Sequence, residues 1–128
     1  MKLYTSYFAK LKSLSGNQIP IAICAGVPKW FTGYTYKALA PSYSILMQYK
    51  TDGDIKAYEK RYYEEILDKL PVDKVITDFE KLAAQYEPDT EFILVCYEKP
   101  SDFCHRHLIA KWLTDNGIPC TELKFDKE

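Results

Sequence analysis

The stretch FILVCYEKPSDFCHRHLIAKWLTDNG, residues 92–117, decides the fold. Its first six residues are apolar or aromatic without a break, which is typical of a strand buried on both faces of a parallel sheet. A polar turn with Pro100 follows, and apolar residues then recur at helical spacing as far as Gly117. The pattern predicts a strand over residues 92–97 and a helix over residues 102–116 with Ser101 as its N-cap.

The flanking sequence repeats this alternation of strands and helices. Apolar runs predict strands over residues 3–7 and 20–25, and alternating residues predict an edge strand over residues 120–125. Helical stripes run from Asp54 to Pro71 and from about Asp73 to Pro88. The tyrosine-rich stretch 27–50 is predicted as loop with a short helix around residues 36–39. These elements predict one α/β domain over residues 1–128, a small three-layer fold with a mainly parallel sheet and helices on both faces.

Composition narrows the class of partner. The chain has 128 residues, 47% of them hydrophobic and 27% charged, which fits one soluble domain with a real core. Its net charge of -1 lacks the basic excess of a duplex-binding surface, so we expect no sequence-specific binding of duplex nucleic acid. No apolar run is long enough to span a bilayer, and the N-terminus does not resemble a signal peptide. We therefore expect a cytoplasmic protein without a membrane partner; its oligomeric state is not indicated.

The segment between the decisive strand and helix, residues 96–106, is the candidate functional site. Parallel α/β sheets bind ligands beyond the carboxyl ends of their strands. The N-terminus of the next helix offers backbone N–H groups and a positive dipole to an anion. On a helical wheel, His105 and Arg106 share the buried sector with Trp112, whereas Cys104 falls on the opposite side. The site is therefore expected to bind a small anionic or polar molecule.

Three side chains have chemistry that suits catalysis. Glu98 ends the strand and is a candidate general base or nucleophile, with a salt bridge to an arginine as the alternative. His105 is a candidate acid–base group, with a core histidine bonded to a backbone carbonyl as the alternative. Cys104, near the third position of the predicted helix, is a candidate thiolate, although the wheel points it away from the pocket.

Five further residues are expected to bind the ligand. Arg106 is expected to clamp an anion, with a structural salt bridge to Glu98 or Asp102 as the alternative. Trp30 belongs to an aromatic loop that suits a lid stacked on a base or sugar, or else a satellite hydrophobic cluster. The other three expected ligand-binding residues are Cys96, Ser101 and Tyr7.

The cysteine spacing disfavours two kinds of chemistry. A phosphatase-type anion loop needs an arginine six residues after its cysteine, and Asp102 and Ala110 stand at those positions. No metal site and no cofactor are expected, because neither CxxC nor HExxH occurs and His105 and His107 project apart on a helix. All four cysteines are expected to be reduced, with Cys24 and Cys120 as small buried hydrophobes.

The run LVCYEKPSDFCHRHLIAKWL resembles the hallmark of the domain-of-unknown-function 488 family, in which Cys-x-Glu is followed by Cys-His-Arg at the start of a helix. The segments LYTSYFAKL and PIAICAGVPKWFTGYTYKALAPSY also resemble a short, single-domain branch of it. The resemblance implies a small α/β fold and an enzymatic role that is suspected but unassigned. Longer members carry Gly-His-Ser and Asp-Val-Arg after the first two strands, where this chain has residues 6–8, SYF, and 23–25, ICA.

Together, these observations predict a small enzyme that acts on a nucleotide-like or other anionic small molecule. A non-catalytic binder of a nucleotide or similar ligand in the same crevice is the alternative. A third possibility is a structural or interaction domain whose Cys-His-Arg motif is only an ion-paired junction between strand and helix.

Overall fold

The computed structural model describes residues 1–98 and 103–125. The strands within these ranges form one five-stranded sheet in which every pairing is parallel. The order across the sheet is β3-β2-β4-β1-β5, so β4 lies at its centre. The predicted α/β fold with a mainly parallel sheet is confirmed. The strands are β1 Lys2–Tyr7, β2 Gln18–Ala22, β3 Tyr34–Thr35, β4 Glu91–Cys96 and β5 Cys120–Glu122.

Four α-helices and three short 3-10 helices connect the strands. Consecutive parallel strands need crossover connections, and helical structure lies in those between β1 and β2, β3 and β4, and β4 and β5, whereas residues 23–33 between β2 and β3 form a loop. No helix in the described ranges has the length and apolar character needed to cross a membrane. The α-helices are α1 Tyr43–Asp52, α2 Ile55–Glu65, α3 Val72–Ala83 and α4 His105–Asp115, and the 3-10 helices are Phe8–Ser13, Lys37–Leu39 and Leu67–Lys69.

The sheet has a core on each face. Along β4, Phe92 and Leu94 point to one face and Ile93 and Val95 to the other, as the twofold period of a strand requires. All four α-helices contribute side chains to the larger core, on the Phe92 face. The smaller core is covered by the 3-10 helix Phe8–Ser13 and by loop residues. The second outer layer is therefore thinner than a layer of α-helices.

Helix α1 lies where the sequence predicted loop, and its caps explain why it forms. The Ser42 hydroxyl accepts a hydrogen bond from the backbone N–H of Ile45 at 3.2 Å. Gly53 ends the helix with φ +62°, a left-handed conformation that glycine adopts at low cost. Apolar residues are not concentrated on one side of this helix, so periodicity could not reveal it.

Three predicted helices have different bounds in the structure. The helix predicted from about Asp73 to Pro88 is α3, which ends at Ala83. The helix predicted from Asp54 to Pro71 ends at Glu65, and a 3-10 turn replaces its last part. Helix α4 begins at His105 rather than at residue 102, and its N-cap residue is Cys104 in an extended conformation. The prediction of Ser101 as the N-cap is therefore wrong, and Ser101 itself lies outside the described residues.

Candidate functional site

A cavity of about 300 Å³ opens beyond the carboxyl ends of β2 and β4. Residues 24–26 follow β2, residues 96–98 end β4, and residues 103–105 lead into α4, so three chain segments meet there. Helices α1 and α2 supply the remaining wall, together with Pro41. The cavity thus lies at the edge of the sheet where parallel α/β folds bind ligands, as the sequence predicted for residues 96–106.

Aromatic side chains form one wall of this cavity. The Tyr58 ring centroid lies 4.8 Å from that of Phe103 and 5.5 Å from that of Tyr49, and both pairs meet edge to face. Leu46 lies beside them on α1. Burial, and then the nearby Glu98 carboxylate, raise the pKa of Tyr58, so its hydroxyl stays protonated at neutral pH. The wall therefore offers aromatic surface to a planar ligand.

Two charged side chains stand at the opening. Glu98 follows β4 and is exposed, and Lys50 lies in the last turn of α1. Burial of the thiol and, to a smaller extent, the nearby Glu98 carboxylate raise the pKa of Cys24, another lining residue, to about 11. A ligand in the cavity would meet an ammonium group and a carboxylate at its rim.

His105 lies in the wall with its ring fixed by the backbone. Its Nε2 lies 2.6 Å from the carbonyl oxygen of Ile23. Because a carbonyl only accepts hydrogen bonds, Nε2 carries the proton and Nδ1 presents a lone pair. Burial of the ring lowers the pKa of His105 from 6.5 to about 4, so the ring is neutral at physiological pH. This is the arrangement described above as the alternative to acid–base catalysis.

Cys104 and Cys96 are bonded as a disulfide that joins the end of β4 to the N-cap of α4. The expectation that all four cysteines are reduced is therefore wrong for this pair, whereas Cys24 and Cys120 are buried free thiols as predicted. Cys104 also lines the cavity, contrary to the helical wheel. The wheel failed because the helix starts after Cys104, so helical geometry does not apply to that residue.

Arg106 lies behind the cavity wall rather than in it. Its guanidinium donates two parallel hydrogen bonds to the Glu122 carboxylate, from Nε at 3.0 Å and from Nη2 at 3.1 Å. Nη1 also donates to the Cys96 sulfur at 3.1 Å and to the backbone carbonyl of Glu98. The residue is fully buried. Its anion is thus Glu122 of the chain itself rather than Glu98, one of the two acids named from the sequence. The other, Asp102, lies outside the described residues. The contacts of Arg106 with Cys96 and Glu98 fix the end of β4.

Two other predicted binding residues, Tyr7 and Trp30, lie outside the cavity wall, and Ser101 is not among the described residues. The Tyr7 ring lies under the Arg106 guanidinium, 5.5 Å from its Cζ. Trp30 is 60% exposed, and it packs edge to face against Phe8 and Phe31 over the smaller core. This corresponds to the satellite cluster named as the alternative to a lid.

Sequence reasoning did not assign Lys50, Tyr58 and Phe103 to the site, and it placed Tyr49 only in the aromatic loop. Lys50 was missed because α1 was predicted as loop, so nothing placed residues 46–50 over the sheet. The Ser42 and Gly53 capping signals would have revealed that helix.

The chain was also compared with known proteins. The family model DUF488-N3a, described as the active DUF488-N3 subclade, matches residues 21–117. The chain belongs to the DUF488 family. The match runs from the last two residues of β2 to just beyond α4 of this DUF488 protein, and it includes every segment that lines the cavity. No curated protein and no solved structure matches the chain.

Proposed function

We propose that this DUF488 protein is a small cytoplasmic enzyme that acts on a nucleotide-like or other anionic small molecule in the cavity beyond β2 and β4. The observation that carries the proposal is the pairing of an aromatic wall with a lysine and a carboxylate at one opening. A base or a sugar can stack against the aromatic wall, and a phosphate or carboxylate group can form an ion pair with the lysine. The description of the matching subclade as active also supports an enzyme.

In this proposal each lining residue has a distinct task. Lys50 attracts the anionic group, and Tyr49, Tyr58 and Phe103 hold the planar part of the ligand. Glu98 accepts a proton or attacks the substrate, since it is the lining carboxylate among the described residues. Arg106 is a positioning residue that fixes the backbone of Glu98 through its carbonyl oxygen.

A non-catalytic binder in the same cavity is the second candidate. It is favoured by the state of His105, whose ring is bonded to Ile23 and stays neutral well below physiological pH. His105 therefore does not serve as a proton donor that complements Glu98 in catalysis. A site that only binds its ligand needs no such donor.

One experiment, in which Glu98 is replaced by glutamine, distinguishes an enzyme from a non-catalytic binder. The purified protein is incubated with a panel of nucleosides, nucleoside monophosphates and ribose 5-phosphate, and products are identified by mass spectrometry. We expect wild type to convert at least one compound and Glu98→Gln to bind it without conversion. Binding of a panel member without product in either protein supports the non-catalytic binder. No binding and no product across the panel contradicts both.

Lys50→Met tests the anion contact in the same assay. Loss of one exposed charge contact of about 1 kcal/mol weakens binding of a phosphorylated compound roughly fivefold. The matched control is Lys12→Met, an exposed lysine on the 3-10 helix Phe8–Ser13 that does not line the cavity. Equal affinities for the two variants would show that Lys50 does not hold the anion.

A further inference from the structure

Three metal-ligating side chains meet in the wall of the cavity. The sulfurs of Cys96 and Cys104 and a ring nitrogen of His105 all lie within 4.8 Å of one another, and the three residues are buried. The end of β4 supplies the first, and the start of α4 supplies the other two. The fold brings Cys96 next to Cys104 and His105, so the cluster does not correspond to a metal-site motif in the sequence.

The His105 ring is oriented as a metal ligand would be. Its Nε2–H is bonded to the Ile23 carbonyl, and Nδ1 lies 3.7 Å from the Cys104 sulfur. Metal-binding histidines donate their second ring N–H to such a carbonyl, which fixes the tautomer. In a tetrahedral zinc site with bonds of about 2.3 Å to sulfur and about 2.1 Å to nitrogen, the two ligand atoms are roughly 3.6 Å apart. The observed separation fits this geometry.

The two cysteines are also spaced to hold a cation. Their Cα atoms are 7.5 Å apart, which is wider than the span of about 4.4 to 6.8 Å that disulfides usually bridge. An ion between two reduced sulfurs accommodates the wider span. The Arg106 guanidinium donates a hydrogen bond to the Cys96 sulfur at 3.1 Å, which holds that sulfur in place.

We propose that Cys96, Cys104 and His105 bind one Zn²⁺ when the disulfide is reduced, and that the fourth position of the metal faces the cavity. A dithiol reductant transfers two electrons and two protons to the cysteine pair and becomes a disulfide itself. Zn²⁺ then replaces the two thiol protons, which pass to solvent. Thiolate and imidazole are ligands that zinc prefers, and three protein ligands with an open fourth position are typical of catalytic zinc.

The metal would give the site a reaction type. An open zinc position binds water and lowers its pKa to about 7. Glu98 stands two residues after Cys96, and in zinc deaminases a glutamate two residues after the first ligand carries the proton. This reaction type, hydrolysis of the ligand held in the cavity, rests on the proposed function. Metal binding itself does not, and its readouts below contain no nucleotide.

The first test measures stoichiometry. The protein is reduced with dithiothreitol, transferred to anaerobic buffer without reductant, and mixed with Zn²⁺ or Co²⁺ alone. We expect one metal ion per chain by native mass spectrometry and a sulfur-to-cobalt charge-transfer band. Cys96→Ser, Cys104→Ser and His105→Gln should lose the ion, and Cys120→Ala, a buried free cysteine outside the cluster, should keep it. Metal bound equally by Cys96→Ser and wild type overturns the site.

The second test uses no variant and therefore does not depend on variant folding. Iodoacetamide labelling is read by peptide mass spectrometry in reduced protein with and without Zn²⁺. Zinc should protect Cys96 and Cys104 from alkylation and leave labelling of Cys24 and Cys120 unchanged. Equal labelling of Cys96 and Cys104 in both samples overturns the proposal. In a separate measurement on a variant, loss of the metal from Cys24→Ser would overturn the open fourth position, because Cys24 also lines the cavity.

The two proposals fail separately. Nucleotide binding without metal binding removes the zinc site and leaves the proposed function. Metal binding without any response to the nucleotide panel keeps the zinc site and removes the nucleotide-like substrate.

Discussion

The buried guanidinium of Arg106 and the carboxylate of Glu122 form a two-point ion pair between α4 and β5. Thr5 on β1 donates a further hydrogen bond to Glu122 at 2.7 Å. The pair therefore ties α4 to two neighbouring strands directly beside the cavity wall. Sequence reasoning expected the arginine to bind a ligand anion, and the structure gives it an anion from the chain itself.

Glu122→Gln should destabilise the fold substantially. The substitution leaves the Arg106 charge fully buried without a carboxylate, and loss of one partner of a buried ion pair costs about 3 kcal/mol. The free energy of unfolding from urea denaturation measures this loss. Glu65→Gln, in the exposed pair with Arg61 on α2, is the control and should cause no measurable loss. Similar losses in both variants would show that the buried pair has no special weight.

Gly53→Ala should destabilise the junction between α1 and α2. Gly53 has φ +62°, and an alanine in that conformation costs about 1 kcal/mol. The matched control is Gly16→Ala, because Gly16 has a negative φ and its added methyl group would meet nothing within 4 Å. Thermal unfolding should show a lower Tm for Gly53→Ala and an unchanged or higher Tm for Gly16→Ala. The reverse order would contradict the described end of α1.

The stability that the buried Cys120 thiol contributes to the fold should be lost at alkaline pH. Burial raises the pKa of its thiol from 9.0 to about 12. The unfolded chain therefore loses this proton first, so the contribution is complete below pH 9 and declines as the pH rises from 9 towards 12. The slope is about 1.4 kcal/mol per pH unit. Wild type should lose stability faster than Cys120→Ala between pH 9 and 11, as measured by urea denaturation, because only wild type has this thiol. A constant difference between the two proteins across that range would refute a buried, neutral thiol.

Much of the fold was predictable because four of its five strands and two of its α-helices have strong patterns of apolar residues. The strand predicted over residues 92–97 was placed within one residue, and the start of α3 was placed within one residue, although α3 ends at Ala83 rather than near Pro88. Strand β3 was missed, because it lies in a stretch predicted as loop. The orientation of a side chain near the end of a helix was harder to predict, because it depends on the exact residue at which the helix begins. A helix that starts three residues late moves Cys104 from a helical face to an extended N-cap, and so brings it into the cavity wall.

The candidate site was predictable as a segment but not as a set of contacts. The cavity edge followed from the rule for parallel sheets, and Glu98 and His105 are both in its wall. Partners distant in sequence could not be read from local spacing. The pairing of Arg106 with Glu122 and the hydrogen bond from His105 to Ile23 both depend on the order of strands across the sheet.

Chemical-shift mapping of the backbone amides tests the central claim most directly. A ¹⁵N-labelled sample is titrated with nucleoside monophosphates and, separately, with inorganic phosphate. We predict saturable shifts at cavity residues such as Gly26, Tyr58 and Glu98, and none at Gly16 or Gly117, which lie outside the lining. The shifts should need higher concentrations in Lys50→Met. Saturable shifts centred away from residues 24–26 and 96–98, or no saturable shift with any compound, would contradict a ligand site in this cavity.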